Sequence, residues 1–334
     1  MNWKKYLQEL QNLKIREEII FAPIYFFISL INLDLRVWLA PTWFDGTLRQ
    51  NHLLLINFQY YNNEQSRLLQ FMIPEVIARL TGLQIEQAYM IPRLVFIFLA
   101  LILFHIYLKK WFSTAEVFAG VLLFASCLPF SYMNDLQEST PLLLVFFISG
   151  LWAIREGKTI AFLLILFVGA FANETILILS AAYFFYNLEQ LNIKKVFKPA
   201  LNTVLVSLPG LIAFGTIRFI NQGQPHLSGL FHYIDNFLGI YRNLFESQGS
   251  ELYQVSYLFP FILFSMMWIY SFLAYPRCPK FMQRIYWIIP FFLAAHFLAG
   301  IWKEARLFLP LGFLLIPMSL FLVFRVPSTE KSLT

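Results

Sequence analysis

Apolar residues run through this chain in long stretches, with little of the amphipathic spacing of a soluble domain. A hydrocarbon core about 30 Å thick is crossed by a helix of about 20 residues, at about 1.5 Å per residue. Stretches that suit such a helix lie at 19–40, 90–108, 115–132, 140–154, 200–220, 254–274, 285–301 and 307–325. They are continuously apolar, so they do not carry the alternating signature of a transmembrane β-barrel.

The stretch 159–187 is too long for one ordinary span and short for two. A hairpin of two short helices, with its apex at Ala172, Asn173 and Glu174, puts Lys194, Lys195, Lys198, Arg277, Lys280, Arg284, Arg325 and Lys331 on one side. That is eight of the twelve Lys and Arg residues that follow it, and a single span would reverse the ratio. Positive charge collects on cytoplasmic loops, so the bias predicts the hairpin. Lys4, Lys5, Lys14, Arg16, Lys109, Lys110, Arg155 and Lys158 fall on the same side. The expectation is an all-α, polytopic transmembrane helical bundle of about ten membrane segments, forming one domain over 1–334 with both termini cytoplasmic. Residues 1–18 read as a charged cytoplasmic N-terminal helix.

This topology leaves two sizeable extracytoplasmic loops, 41–89 and 221–253. In the first, Leu69, Met72, Ile73, Val76, Ile77 and Leu80 recur at helical spacing, with Arg67, Gln70, Glu75 and Arg79 on the other side. That pattern predicts an amphipathic helix lying in the membrane interface, with Pro74 in its first turn or kinking it. The second loop is aromatic and mixed-polar, as suits a segment that covers a cavity at the interface.

Composition sharpens the picture. Of 334 residues, 59% are hydrophobic and only 13% charged, and 38 are Phe. Soluble domains carry about 25% charged residues, so a water-soluble enzyme is excluded. The net charge of +6 belongs to membrane orientation and not to nucleic-acid binding. Cys127 and Cys278 have no metal-binding or redox spacing. The short loops point to a bacterial plasma membrane.

The candidate chemistry lies in polar groups toward the outer side. Asp45, beside Gly46, reads either as a general base or as an ordinary Asp-Gly turn. His52 follows in the same loop. Asn134, Asp135 and Glu138 occupy a short turn, either contacting a ligand or capping the next helix. Asn173 and Glu174 sit at the hairpin apex, which about 13 residues of helix cannot carry to the far surface. Lys303, Glu304 and Arg306 open the last span, where they suit either a phosphate or an interfacial charge cluster. His226 and His232 share a loop without a third metal ligand.

In its motifs and their order, the chain resembles the GT-C superfamily of membrane glycosyltransferases. The features are Phe44-Asp45-Gly46 soon after the first span and RLLQFMIPEVIARLTGL, which is similar to an R-x-x-R-x-x-x-P-x-x-A pattern. Asn134-Asp135 and Glu138 come next, then Asn173-Glu174-Thr175 and a late E-x-R-x-x-x-P from Glu304 to Pro310. Thr47-Leu48-Arg49 and Phe71 depart from the superfamily's pattern. The resemblance implies inverting transfer of a sugar from a polyprenyl-phosphate-linked donor to a glycan, lipid or protein acceptor at the lipid bilayer. Asp45 would be the general base, and Arg67, Arg93, Lys303 and Arg306 would hold the donor phosphate. Glu304, Asn134, Asp135, Glu138, Asn173, Glu174 and His52 would contact substrate or support the site. No cofactor is implied with certainty, and a divalent cation stays open with its ligands unassigned. Two other readings fit parts of the pattern: a transporter or flippase for a lipid-linked or small polar substrate, and a lipid-linked glycan polymerase or ligase.

Overall fold

The computed structural model describes residues 17–39, 43–60, 63–131, 138–188, 193–221, 232–245 and 257–324. The described residues form helices and turns, with no strand among them. In chain order the α-helices are α1 (Glu17–Leu39), α2 (Thr47–Ile56), α3 (Leu68–Thr81), α4 (Ile85–Leu108), α5 (Thr114–Cys127), α6 (Ser139–Arg155) and α7 (Thr159–Ala170). Then come α8 (Leu179–Asn187), α9 (Ile193–Ile220), α10 (Tyr233–Phe245), α11 (Phe259–Phe264), α12 (Met267–Ala274), α13 (Lys280–Ile285), α14 (Ile288–Ala299) and α15 (Gly312–Val323).

Among the described residues, five helical stretches are long and apolar enough to cross a membrane: Glu18–Leu39, Ile85–Leu108, Val196–Ile220, Lys280–Ala299 and Ala305–Val323. The chain is an integral membrane protein. Its exterior carries exposed Phe27, Ile160, Phe197, Ile212 and Phe219, a surface that water would not tolerate but lipid does. The last stretch is the hub and is almost wholly buried. Phe313 of α15 meets Phe104, Phe124 and Phe147, at ring-centroid distances of 5.1, 4.6 and 6.5 Å.

The chain reverses within 159–187. The rings of Phe162 and Tyr183 stack at 5.3 Å, whereas one continuous helix would hold them about 30 Å apart. The reversal is tight: a Cβ on Gly169 would sit 2.8 Å from Ile176, so glycine fits there best. A short 3-10 segment, Glu174–Ile178, carries the chain from the apex into α8. At the other end of the hairpin, Arg284 Nη1 donates to the Tyr186 carbonyl at 2.8 Å. Lys109 pairs there with Glu18, and Lys110 with Glu156. Basic residues thus gather at the end of the bundle opposite the apex.

Two expectations change in detail. The stretch 254–274 breaks into α11 and α12 at Ser265, whose φ of 43° ends the first helix. Trp268 Nε1 donates across the break to the Pro260 carbonyl at 3.3 Å. In the predicted interfacial helix, now α3, Val76 and Leu80 are exposed as a lipid-facing stripe should be. Gln70, assigned to the polar outer side, is instead buried with Phe71 and Pro74, because α3 packs on α4 through that face. Residues 1–16 and most of the second loop lie outside the described residues.

The hairpin is checked by a double variant, Phe162→Cys with Tyr183→Cys, in a background with Cys127 and Cys278 replaced. A short thiol-to-thiol reagent links the two positions in membranes if the chain reverses, and leaves them unlinked if it does not.

Candidate functional site

The first loop is held onto the hairpin apex by its backbone and by a two-pronged ion pair. Leu69 N donates to the Phe171 carbonyl at 3.0 Å. Arg67 Nη2 donates to Glu174 Oε1 at 2.8 Å, and its Nε to Oε2 at 3.2 Å. Arg67 is the residue immediately before α3, so the turn Asn63–Ser66 sets its direction. Behind this pair, Asn173 Oδ1 accepts from Thr175 N at 3.0 Å and its Nδ2 donates to Ser139 Oγ at 3.1 Å.

Beside the pair opens a cavity of about 270 Å³. Its polar wall holds Glu64, Arg67, Glu174, Glu304 and Arg306, and its apolar wall includes Ile178, Ala295 and Leu307. Arg306 is buried and donates from Nη2 to Glu304 Oε2 at 2.5 Å. Its Nε and Nη1 have no hydrogen-bond partner. Such unmet donors on a buried cation are costly, since hydrogen bonds to charged groups contribute about 1.5–3 kcal/mol each.

Two further groups complete the wall. His296 Nδ1 donates to the Phe292 carbonyl at 2.9 Å, which leaves Nε2 to accept from Thr175 Oγ1 at 3.4 Å. His232 N donates to the Leu298 carbonyl at 2.7 Å, and Asn236 of α10 bonds the carbonyls of Phe297 and Gly300 at 2.8 Å each. These bonds seat α10 over the end of α14.

Glu64 is nearly fully buried, and Gln70 Nε2 donates to its Oε2 at 3.4 Å. Burial pushes its carboxyl up to about 7, against the opposing pull of Arg67 and Arg306. It therefore titrates near neutral pH.

The structure thus gathers Arg67, Glu174, Glu304 and Arg306 around one cavity, from three separate parts of the chain. Other predicted residues lie elsewhere. Asp45 is exposed in a turn whose Gly46 has φ 95°, and its Oδ1 accepts from Thr47 N at 2.9 Å. That bond to the first turn of α2 holds the Asp45 carboxyl below its ordinary range, and Asp45 does not line the cavity. Lys303 is exposed and also off the cavity wall. Asn134 and Asp135 lie outside the described residues.

Arg93 is committed to protein. With Arg36 it clasps Glu138, which joins α1, α4 and the start of α6 in one buried cluster. The Arg36 guanidinium also lies 5.7 Å from the Trp43 ring centre. His52 is buried between Tyr89 Oη and Glu75 Oε2, at 3.0 Å each. Burial lowers the His52 imidazole below its ordinary value, while the bond from His52 lowers Glu75. A neutral His52 donating from Nε2 to an ionised Glu75, and accepting at Nδ1 from Tyr89, satisfies all three groups.

Glu64 and His296 are not among the residues that the sequence marks as candidates. His296 carried a legible signal, an ionisable side chain inside an apolar span. Glu64, three residues before Arg67 in a polar loop, carried none. Among the described residues, no group of three or more His, Cys, Asp or Glu side chains could hold a metal ion. No family model, curated protein or solved structure matches the chain.

Removing Glu138 strips two buried guanidinium groups of the carboxylate they share. Glu138→Ala is expected to destabilise the detergent-solubilised protein by about 3–5 kcal/mol, read by denaturant unfolding.

Proposed function

We propose that this chain is an integral membrane glycosyltransferase. It takes a sugar from a polyprenyl-phosphate carrier at the extracytoplasmic face of a bacterial plasma membrane and passes it, with inversion, to a glycan, lipid or protein acceptor. The observation that carries the reading is buried Arg306, on the cavity wall with two donor nitrogens unpaired beside Arg67. An anionic oxygen bound there would satisfy them, and planar guanidinium groups suit phosphate. The adjoining apolar wall of Ile178, Ala295 and Leu307 suits the start of a prenyl chain.

The proposed topology has ten membrane segments, with the basic end of the bundle cytoplasmic and the cavity at the outer end. In the reaction, the acceptor oxygen attacks the anomeric carbon as the bond from that carbon to the phosphate oxygen breaks. The lipid phosphate departs with the electron pair, its charge held by Arg67 and Arg306. The resemblance makes Asp45 the base that takes the acceptor proton. Asp45 is exposed, and its bond from Thr47 favours the ionised carboxylate that a base requires. The GT-C resemblance supports the reaction class, and the cavity supports the phosphate site.

The test is sugar transfer from a labelled polyprenyl-phosphate sugar in proteoliposomes. Arg306→Ala is expected to lower turnover by about 10²-fold or more, and Asp45→Asn to stop transfer while donor binding persists. Movement of the donor across the bilayer without transfer would overturn the assignment in favour of a transporter.

A further inference from the structure

The cavity wall offers a ligand more than cations. His296 of α14 lines it, as does Thr175 just past the hairpin apex. The His296 ring is stacked on Phe292, with centroids 4.3 Å apart, and tilted against Phe308 at 5.8 Å. Its Nδ1 faces the Phe292 carbonyl at 2.9 Å, and a carbonyl can only accept. The ring proton therefore sits on Nδ1, and Nε2 of the neutral ring presents a lone pair. The partner of Nε2 is Thr175 Oγ1 at 3.4 Å, at the long edge of hydrogen-bonding range. Both side chains are buried, so bulk water does not make good the weak bond.

A phosphodiester cannot supply what is missing. Its oxygens only accept, which suits the unpaired Nε and Nη1 of Arg306. Nε2 of His296 calls instead for a donor. Nearby Glu174 and Glu304 are held by Arg67 and Arg306. A ligand that carries an O–H beside its phosphate meets both demands of the wall.

We propose that His296, with Thr175, recognises a hydroxyl of the alcohol esterified to the bound phosphate: that O–H donates to His296 Nε2, and Thr175 Oγ1 donates to the hydroxyl oxygen. The proposal rests on reading the cavity as a lipid-phosphate site, and names what the site selects beyond the phosphate. A polyhydroxylated head group, as in a sugar, is preferred over an apolar one of the same size, which would leave buried Nε2 without a donor. Both halves of the clasp are positioned independently of a ligand. The i−4 carbonyl fixes the His296 ring, and Thr175 is fixed through its backbone N, which donates to Asn173 Oδ1 at 3.0 Å. The Thr175 hydroxyl can then rotate from Nε2 to a ligand oxygen.

The probes are a pair of farnesyl phosphodiesters. One carries a glyceryl head group, and in the other a methyl group replaces each free glyceryl hydroxyl. Each is titrated by calorimetry into the full-length protein in detergent. The quantity read is the ratio of their dissociation constants, whose change between variants cancels their different partitioning into detergent. His296→Phe keeps a ring on Phe292 and removes both nitrogens. Its preference for the glyceryl probe should fall about tenfold, as for one buried hydrogen bond. Its affinity for the methylated probe should stay close to that of the unmutated protein, which a general loss of structure would not allow. His296→Gln, whose amide oxygen can stand near the Nε2 position, should restore part of the preference. Arg306→Ala should weaken both probes alike. An unchanged ratio in His296→Phe, with both probes bound, would overturn the role of His296 and leave the phosphate site standing. No saturable binding of either probe by the unmutated protein would overturn both. Should His296→Phe not fold, Thr175→Val decides: a reduced preference supports the clasp, and an unchanged one overturns it.

Discussion

Charge in a medium that cannot solvate it is the constraint on which this structure depends. A bare buried ion is too costly to keep, so buried charges are held in pairs or given a ligand. The pairing here also fixes the architecture. Arg67 with Glu174 fastens the first loop to the hairpin apex, and Glu138 with Arg36 and Arg93 fastens α1 and α4 to the start of α6. Each cluster joins segments distant in the chain, as a membrane bundle requires when apolar contacts alone discriminate poorly among neighbouring helices.

The two clusters differ in what they leave over. Around Glu138 two guanidinium groups share one carboxylate in a buried cluster that joins three helices. Around Arg306 two donor nitrogens remain unpaired beside open volume, and a third carboxyl sits near neutrality. The second leaves buried donor nitrogens on the wall of an open cavity, a deficit that a ligand can fill.

The legibility of the site followed from chemistry within each segment. Glu304 and Arg306 could be singled out because charge at the opening of an apolar span is expensive, and Glu174 because a short hairpin cannot carry it into water. Asp45 drew attention through its neighbours Phe44 and Gly46, yet the same dipeptide makes the turn that the structure contains. Arg93 and Arg67 were indistinguishable in sequence, each an arginine in or beside a helix. Only the folded chain gives Arg93 to Glu138 and Arg67 to the cavity. Glu64 was invisible because the cavity wall it joins is completed by Glu174 and Arg306, more than a hundred positions away in sequence.

By itself, the sequence determined the solvent and the secondary structure. Long apolar runs can be satisfied only in lipid, and in lipid the backbone must form its hydrogen bonds within each segment, so helices and their approximate limits follow from local composition. The bias of Lys and Arg was also local, and it identified the reversal at Asn173. Which charge meets which was decided by tertiary structure alone. An ion pair or a cavity is a coincidence in space between side chains whose sequence separation carries no period, and the protonation of a buried carboxyl depends on the water those neighbours remove.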